Sequence, residues 1–423
     1  MEHQHEAFVI DPAGGDISGE SKRIRERGPA TLVELPGQVV AWMVTDHALL
    51  KQLLTDSNVS KNPNLHWPAW RSGQIPADWP LALWVGVPNM FTAYGTEHRR
   101  LRTLVSSAFT ARRTADLRPR IQEITTELLD DIAATPATEP VDLREELAYP
   151  LPIRVICELF GVPESQRDEL RRITEALFDT TATPEEVQAI DRDLYTILND
   201  LVAAKRDTPS DDMTSGLIAA HDEDGSRLSE QELVYTLSLM LVAGHETTVN
   251  LITNAVHALL IHPDQYERIQ AGESTWSDVI DETLRWAPSV ARLPLRYAVD
   301  DITLDGVTIK KGDAILADYG AAGRDPAHHG ADADQFDLSR PSRGDHLAFG
   351  HGVNFCLGAP LARLEAGIAL PALFSLFPDL TLAVPPGELK PLTSFIANSY
   401  SSLPVHLNRE GLGLGVAKSR ART

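Results

Sequence analysis

Cys356 stands in the run Phe349-Gly350-His351-Gly352-Val353-Asn354-Phe355-Cys356-Leu357-Gly358, near the end of a 423-residue chain whose one other cysteine is Cys157. A lone thiol among glycines suits neither a disulfide nor a zinc site, which takes about four ligands with paired Cys or His spacings. It suits one thiolate bound to one iron. Gly350, Gly352 and Gly358 let the backbone turn tightly and bring N–H groups to the sulfur, and such hydrogen bonds tune a metal-bound thiolate. A thiolate on iron pushes electron density onto the metal and favours O–O cleavage. The plainer alternative is a buried structural cysteine in a Gly-rich turn.

A second cluster is Ala243-Gly244-His245-Glu246-Thr247-Thr248. It interrupts a stretch, Ser229 to Ile261, that predicts one long helix. Ser229 and Glu232 form a capping box, Pro263 follows the end, and nearly every face from Leu233 to Leu260 is apolar, as in a buried central helix. At ~1.5 Å per residue it would cross a whole domain. Gly244 in its middle costs on the order of 1 kcal/mol relative to Ala. Glu246 puts a carboxylate where burial is expensive without partners. Choices that weaken a helix locally point to function. The missing side chain at 244 leaves room for a ligand, and Thr247 can bond the carbonyl four residues back and open the turn. Glu246 and Thr247 then form an acid–alcohol pair able to relay protons through water. A Thr-rich helix with solvent-exposed Glu and His is the alternative. Glu282 and Arg285, three apart in the helical segment Val279 to Trp286, share one helix face.

The three patterns, Phe-x-x-Gly-x-x-x-Cys-x-Gly, Ala-Gly-x-Glu-Thr and Glu-x-x-Arg, stand in an order and spacing that resembles the cytochrome P450 family, over about residues 30 to 407. The resemblance implies a mainly α fold with small β-sheets. It implies one haem-enclosing domain over 30–407 around a long central helix, with an N-terminal segment 1–29 and a C-terminal tail 408–423. It implies haem b, its iron bound by Cys356, with Phe349, Gly350, His351, Asn354 and Gly358 around it. Glu246 and Thr247 become the catalytic pair, and Glu282–Arg285 a structural ion pair behind the Cys loop. His98 and Arg102, four apart on a helix, and Arg296 match the family's contacts to the haem propionates. Asn354 is a departure: relatives carry His or Arg there, so one propionate should be less well neutralised. Gln335 sits where many relatives have a further arginine, which leaves Arg324 as the expected substitute in the network.

By the same resemblance the activity is that of a monooxygenase fed by ferredoxin and ferredoxin reductase, inserting one atom of O2 into a C–H bond. A non-oxygenating haem carrier or sensor, and a peroxide-driven relative, are the competing classes; the intact Glu246–Thr247 pair disfavours both. Between Glu97 and Arg120 there are seven arginines and two acids, a local +5 in a chain of −22. Such an island can steer an acidic partner such as ferredoxin. Pocket walls are expected from the Trp-rich loop, Phe178–Pro184, Met240–Gly244, Ser289–Leu293 and Phe395–Ala397. Met90, Leu241, Val242, Ala243 and Gly244 are named from these, with Val290, Leu293, Phe395 and Ile396. That wall predicts a sizeable apolar substrate. Runs such as His66-Trp67-Pro68-Ala69-Trp70 look like one actinobacterial branch. Steroid hydroxylation is the expectation, with a macrolactone or flavonoid as the alternative.

The rest of the chain must hold these groups in place. A net charge of −22 disfavours nucleic acid, since phosphate binding requires clustered Lys and Arg. No stretch approaches the ~18–20 apolar residues of a membrane span, and the acids and histidines of Met1 to Ile10 do not resemble a signal peptide. Two cysteines fit a reducing compartment. The expectation is a cytoplasmic monomer of the soluble bacterial type. Apolar spacing predicts helices over 97–133, 144–160, 164–178 and 185–206, and Gly306 and Gly312 punctuate short strands between 299 and 316. Residues 61–90, with five prolines and four of the seven tryptophans, read as an ordered functional loop. Cys157 reads as core; His221, His257, His328 and His329 read as surface or structural.

Overall fold

The computed structural model describes residues 6–76, 78–108, 111–136, 138–220, 225 and 227–408. His221 and the tail from 409 onward lie outside them. A helical body surrounds the central helix Glu230–Ile261, whose capping box is made as expected: Ser229 accepts from the Glu232 N–H, and Glu232 takes the Ser229 N–H at 2.7 Å. Helices Pro150–Phe160, Pro184–Asp207, Trp276–Trp286 and Ala359–Leu376 pack against it. Being apolar on nearly all faces, it is buried along most of its length. Ala359–Leu376 is also long and apolar enough to cross a membrane by length and composition, but it packs against Arg118–Ala134, the central helix and Trp276–Trp286.

Proline sets several boundaries that periodicity alone missed. The stretch 97–133 is broken into Gly95–Ala108, Ala111–Asp116 and Arg118–Ala134, the last opening with Pro119 in its first turn, where a missing N–H is harmless. Pro150 likewise opens Pro150–Phe160, after a single π turn at Arg144–Ala148. The Trp-rich stretch is less of a loop than expected: it carries the one-turn helices Pro63–His66, Pro68–Arg71 and Ala82–Val85.

A six-stranded sheet flanks the body, in the order Phe8–Val9, Ala30–Leu35, Val39–Val44, Ala314–Asp318, Arg292–Ala298, Val59–Ser60. The first and third pairings are parallel, the others antiparallel. The boundary expected at residue 30 falls inside this fold. Phe8–Val9 is a strand of the sheet, and the helix Ile17–Arg25 is pinned by buried polar bonds. Arg292 reaches Glu20 at 2.6 Å, and Ser21 donates to Asp318 at 2.6 Å.

Candidate active site

The Cys loop turns on Gly350 and Gly352, at φ 72° and 70°, where a side chain is strained. At Gly352 a Cβ would also come within 2.9 Å of the Leu54 carbonyl oxygen. The Cys356 N–H donates to the Phe349 carbonyl at 2.9 Å and closes the loop. The thiol then sits at the start of Ala359–Leu376, where the backbone N–H groups of Gly358 and Ala359 bond the sulfur. Burial pushes the Cys356 thiol up in pKa, while these N–H groups and Arg102 favour the thiolate. Cys356 has exposed surface in a setting that still desolvates it, because that surface belongs to the wall of an internal cavity. Phe349, Gly350, Asn354 and Gly358 line the same cavity; His351 is not among its lining residues.

Beside the thiol the cavity is lined by Lys61, His98, Arg102 and Arg296. Arg102 Nη2 donates to the Phe355 carbonyl at 2.7 Å. Arg296 Nη2 donates to Tyr319 Oη at 3.0 Å, while its Nη1 is buried without a hydrogen-bond partner. Lys61 Nζ lies 3.2 Å from the centre of the Phe91 ring. Burial, and then the Arg296 guanidinium, hold Lys61 well below the usual lysine range. Among the described residues no salt bridge joins any of the four to an Asp or Glu. Basic groups gathered on an apolar wall without acids beside them are costly to bury, and a group bearing two carboxylates, as haem does, fits them. Lys61 was missed from sequence because a single lysine beside a two-residue strand carries no pattern.

Across the cavity stands the central helix. Gly244 and Thr247 line the wall, whereas Glu246 does not, since successive residues on a helix point about 100° apart. Thr247 Oγ1 donates to the Ala243 carbonyl at 2.6 Å, yet the helix continues unbroken and the expected open turn is absent. Gly244 borders the cavity, but in the direction of a Cβ it meets Ile156 Cδ1 at 2.8 Å, so the missing side chain makes room for Ile156 rather than for a ligand. Glu246 is buried against Arg144, whose Nη2 donates to Oε1 at 2.7 Å. Arg144 Nη1 holds Asn250 Oδ1 at 2.9 Å. Burial raises the Glu246 pKa, against the pull of Arg144. His245 is fully buried, edge-on to Tyr149 at 4.5 Å. Burial lowers its pKa to about 3.

Behind the Cys loop, Glu282 and Arg285 pair twice at 2.7 Å with no solvent exposure. Arg285 also donates to the carbonyls of Gly323, Ala333 and Gln335, so all five donors are used. The third member is Arg340, with Nε 3.5 Å from Glu282 Oε1. Arg324, the expected substitute, instead lies over the Trp286 ring and donates to the Trp286 carbonyl at 2.8 Å. His329 and His257 are buried, as structural histidines are, and His328 is exposed. His329 clusters with His47 and His328, but the His47 and His328 rings stack in parallel 3.5 Å apart, so their lone pairs run alongside rather than converge on one point.

Met90, Val242, Ala243, Gly244, Val290 and Leu293 line the cavity; Leu241, Phe395 and Ile396 do not. Leu241 faces the opposite side of the helix, into the main core. Phe395 and Ile396 are fully buried in the cluster under the sheet, because the bridge Val290–Ala397 presents Val290 to the cavity and leaves them behind it. Of the Trp-rich stretch, Trp84 lines the cavity. Trp67 stacks on Tyr297 at 5.1 Å, and Trp79 donates to the Pro36 carbonyl at 2.7 Å.

The family model "Cytochrome P450" matches residues 162–272 and 276–393. The chain is 46% identical over 407 residues to 2-hydroxy-5-methyl-1-naphthoate 7-hydroxylase of Streptomyces carzinostaticus, covering 96% of this chain and 99% of that one. Among solved structures, CYP154A1 of Streptomyces coelicolor A3(2) is 56% identical with a TM-score of 0.90, covering 95% of this chain and 100% of that one. CYP154C4 of Streptomyces sp. ATCC 11861, solved with testosterone bound, is 46% identical with a TM-score of 0.91, covering 95% and 98%. Matches of this extent, laid over a cysteine loop that faces a cavity lined with basic side chains, place the chain in the cytochrome P450 family of haem-thiolate monooxygenases.

Proposed function

We propose that this P450 hydroxylates a neutral steroid. The carrying observation is the distribution of polarity in the cavity. Beyond the cations beside the Cys loop, the wall is built mainly from Leu83, Trp84, Met90, Phe178, Val290 and Leu293. An elongated apolar body fits such a wall, and a relative of 46% identity was solved with testosterone. Haem bound by the Cys356 thiolate would supply the oxidising chemistry, with O2 and two electrons as the co-reactants and one oxygen atom entering a C–H bond. Cys356 would hold the cofactor. Lys61, His98, Arg102 and Arg296 would hold its carboxylates. Thr247 would present a hydroxyl to the reacting face. Glu246 reaches that face only by leaving Arg144, so Arg144 would govern when its proton is delivered. Optical titration of the haem-loaded protein with testosterone tests the reading. A shift of the Soret band is expected; a band that ignores steroids but answers to a macrolactone or flavonoid overturns the substrate.

Electron delivery is proposed to come from an acidic ferredoxin, with the enzyme in the cytoplasm. Supporting this, Arg99, Arg112 and Arg118 are exposed on successive helices from Gly95 to Ala134, and Gly95–Ala108 also supplies Arg102 to the Cys loop. Arg112→Glu with Arg113→Glu should slow ferredoxin-driven reduction at low salt, and an unchanged rate overturns the docking site.

A further inference from the structure

Asp191 is the one acid among the described residues that line the cavity. It lies on Pro184–Asp207, half-buried, and no hydrogen bond or salt bridge to its carboxylate is found among the described residues. Asp193, two residues on, is paired with Arg172. An unpartnered carboxylate facing an apolar chamber is unfavourable, and such local losses mark function. Burial raises its pKa. Across from it, Tyr235 and Ser238, three residues apart on the central helix, line the same cavity, and the Asp191 charge acts on the Tyr235 phenol. Leu194, Trp84 and Phe178 line the same cavity. Thr247 is nine residues beyond Ser238 and twelve beyond Tyr235, so the polar pole lies roughly 14–18 Å along the helix from the reacting face.

We infer that Asp191, with Tyr235 and Ser238, is a substrate-anchoring subsite that accepts a hydrogen bond from a hydroxyl at the end of the substrate remote from the carbon to be oxidised. The inference rests on reading the cavity as the substrate chamber. The same carboxylate repels an anionic substrate, so this chain should discriminate against carboxylates of the naphthoate kind named for its 46% identical relative. Asp191 positions and selects; it does not touch the reacting atoms.

The test uses haem-loaded protein and two steroids that differ in one group, testosterone with a 17β-hydroxyl and androstenedione with a 17-ketone, read by the Soret shift. A hydrogen bond to a charged acceptor is worth about 1.5–3 kcal/mol, so wild type should bind testosterone roughly ten- to a hundredfold more tightly. Asp191→Ala should erase that preference and leave the affinity for androstenedione within about twofold; Asp191→Asn should keep part of the preference. A preference that survives Asp191→Ala, or wild type binding both steroids equally, overturns the subsite. If neither steroid moves the Soret band, the steroid reading fails. The same comparison with 1-dodecanol and its methyl ether, which need only an apolar channel, then decides on Asp191: a preference for the alcohol lost in Asp191→Ala supports it, and no preference overturns it.

Discussion

Arg144→Met probes how Glu246 is kept. Arg144 Nη2 lies 2.7 Å from Glu246 Oε1 with both side chains almost fully buried, and the second guanidinium nitrogen holds Asn250. Methionine retains much of the stem and removes the charge. Stripping one partner from a buried pair costs ~3–5 kcal/mol while the survivor stays charged. Glu246 can escape by taking a proton. Its folded pKa is already raised by burial against the pull of Arg144, and losing Arg144 raises it further. A carboxyl whose folded pKa exceeds its unfolded value binds more protons folded than unfolded, so stability falls as pH climbs between the two. Wild type and variant should therefore lie within ~1 kcal/mol at low pH, where both carboxyls are protonated and only a neutral hydrogen bond is missing. The gap should widen by ~1.4 kcal/mol per pH unit across the interval between the two folded pKa values. A gap of 3–5 kcal/mol corresponds to an interval of roughly two to four units. Urea midpoints from about pH 5 to pH 8.5, followed by far-UV circular dichroism, read it directly. Arg144→Met with Glu246→Gln should lose the pH dependence. A destabilisation equal at both ends of the range, or unchanged in the double variant, refutes the reasoning.

Arg340→Ala should cost ~3–5 kcal/mol, losing its charge beside Glu282 and its bonds to Asp332 and the His329 carbonyl, and Arg324→Ala ~2 kcal/mol, losing its stacking on Trp286 and its bond to the Trp286 carbonyl; thermal melts of the two variants side by side check the order. Gly352→Ala should destabilise by ~1–3 kcal/mol, since its φ is positive and the Leu54 carbonyl blocks a Cβ, whereas Gly387→Ala, with open space, should be neutral. Lys61→Met removes a buried amine that has no acid beside it, so the haem-free protein should melt higher while haem escapes faster to apomyoglobin; escape that is unchanged or slower would falsify its assignment to the propionates.

How much was legible in advance depended on whether a signal was local. The Cys loop was readable because its glycines answer to backbone conformation, and the central helix because Ser229 and Glu232 form its cap within four residues. The partner of Glu282 was not, since Arg324 and Arg340 are both arginines downstream of the same helix, and only the path of the chain past Trp286 decides between them. The same holds inside the helix: Gly244 and Glu246 stood out as costly choices, but the side on which Ile156 and Arg144 meet them is set by Arg144–Phe160, more than eighty residues earlier. Phe395 and Ile396 were assigned to the wrong side of a short bridge because alternation in an apolar run does not say which face is core. Lys61 and Asp191 carried no pattern and became visible only as charges on an otherwise apolar wall.

The buried bonds that pin the N-terminal helix span nearly the whole chain: Glu20 waits for Arg292, 272 residues later, and Ser21 for Asp318, 297 residues later. On a ribosome adding about 5–20 residues per second, that delay is roughly 15–60 s. Through it the hairpin Ala30–Leu35/Val39–Val44 exists without the strand Ala314–Asp318 that pairs with it in parallel, and an open strand edge is a template for joining other chains. Slower translation lengthens that exposure and a chaperone that shields the edge shortens it, so the yield of soluble enzyme is governed by timing during synthesis as well as by the stability of the finished fold.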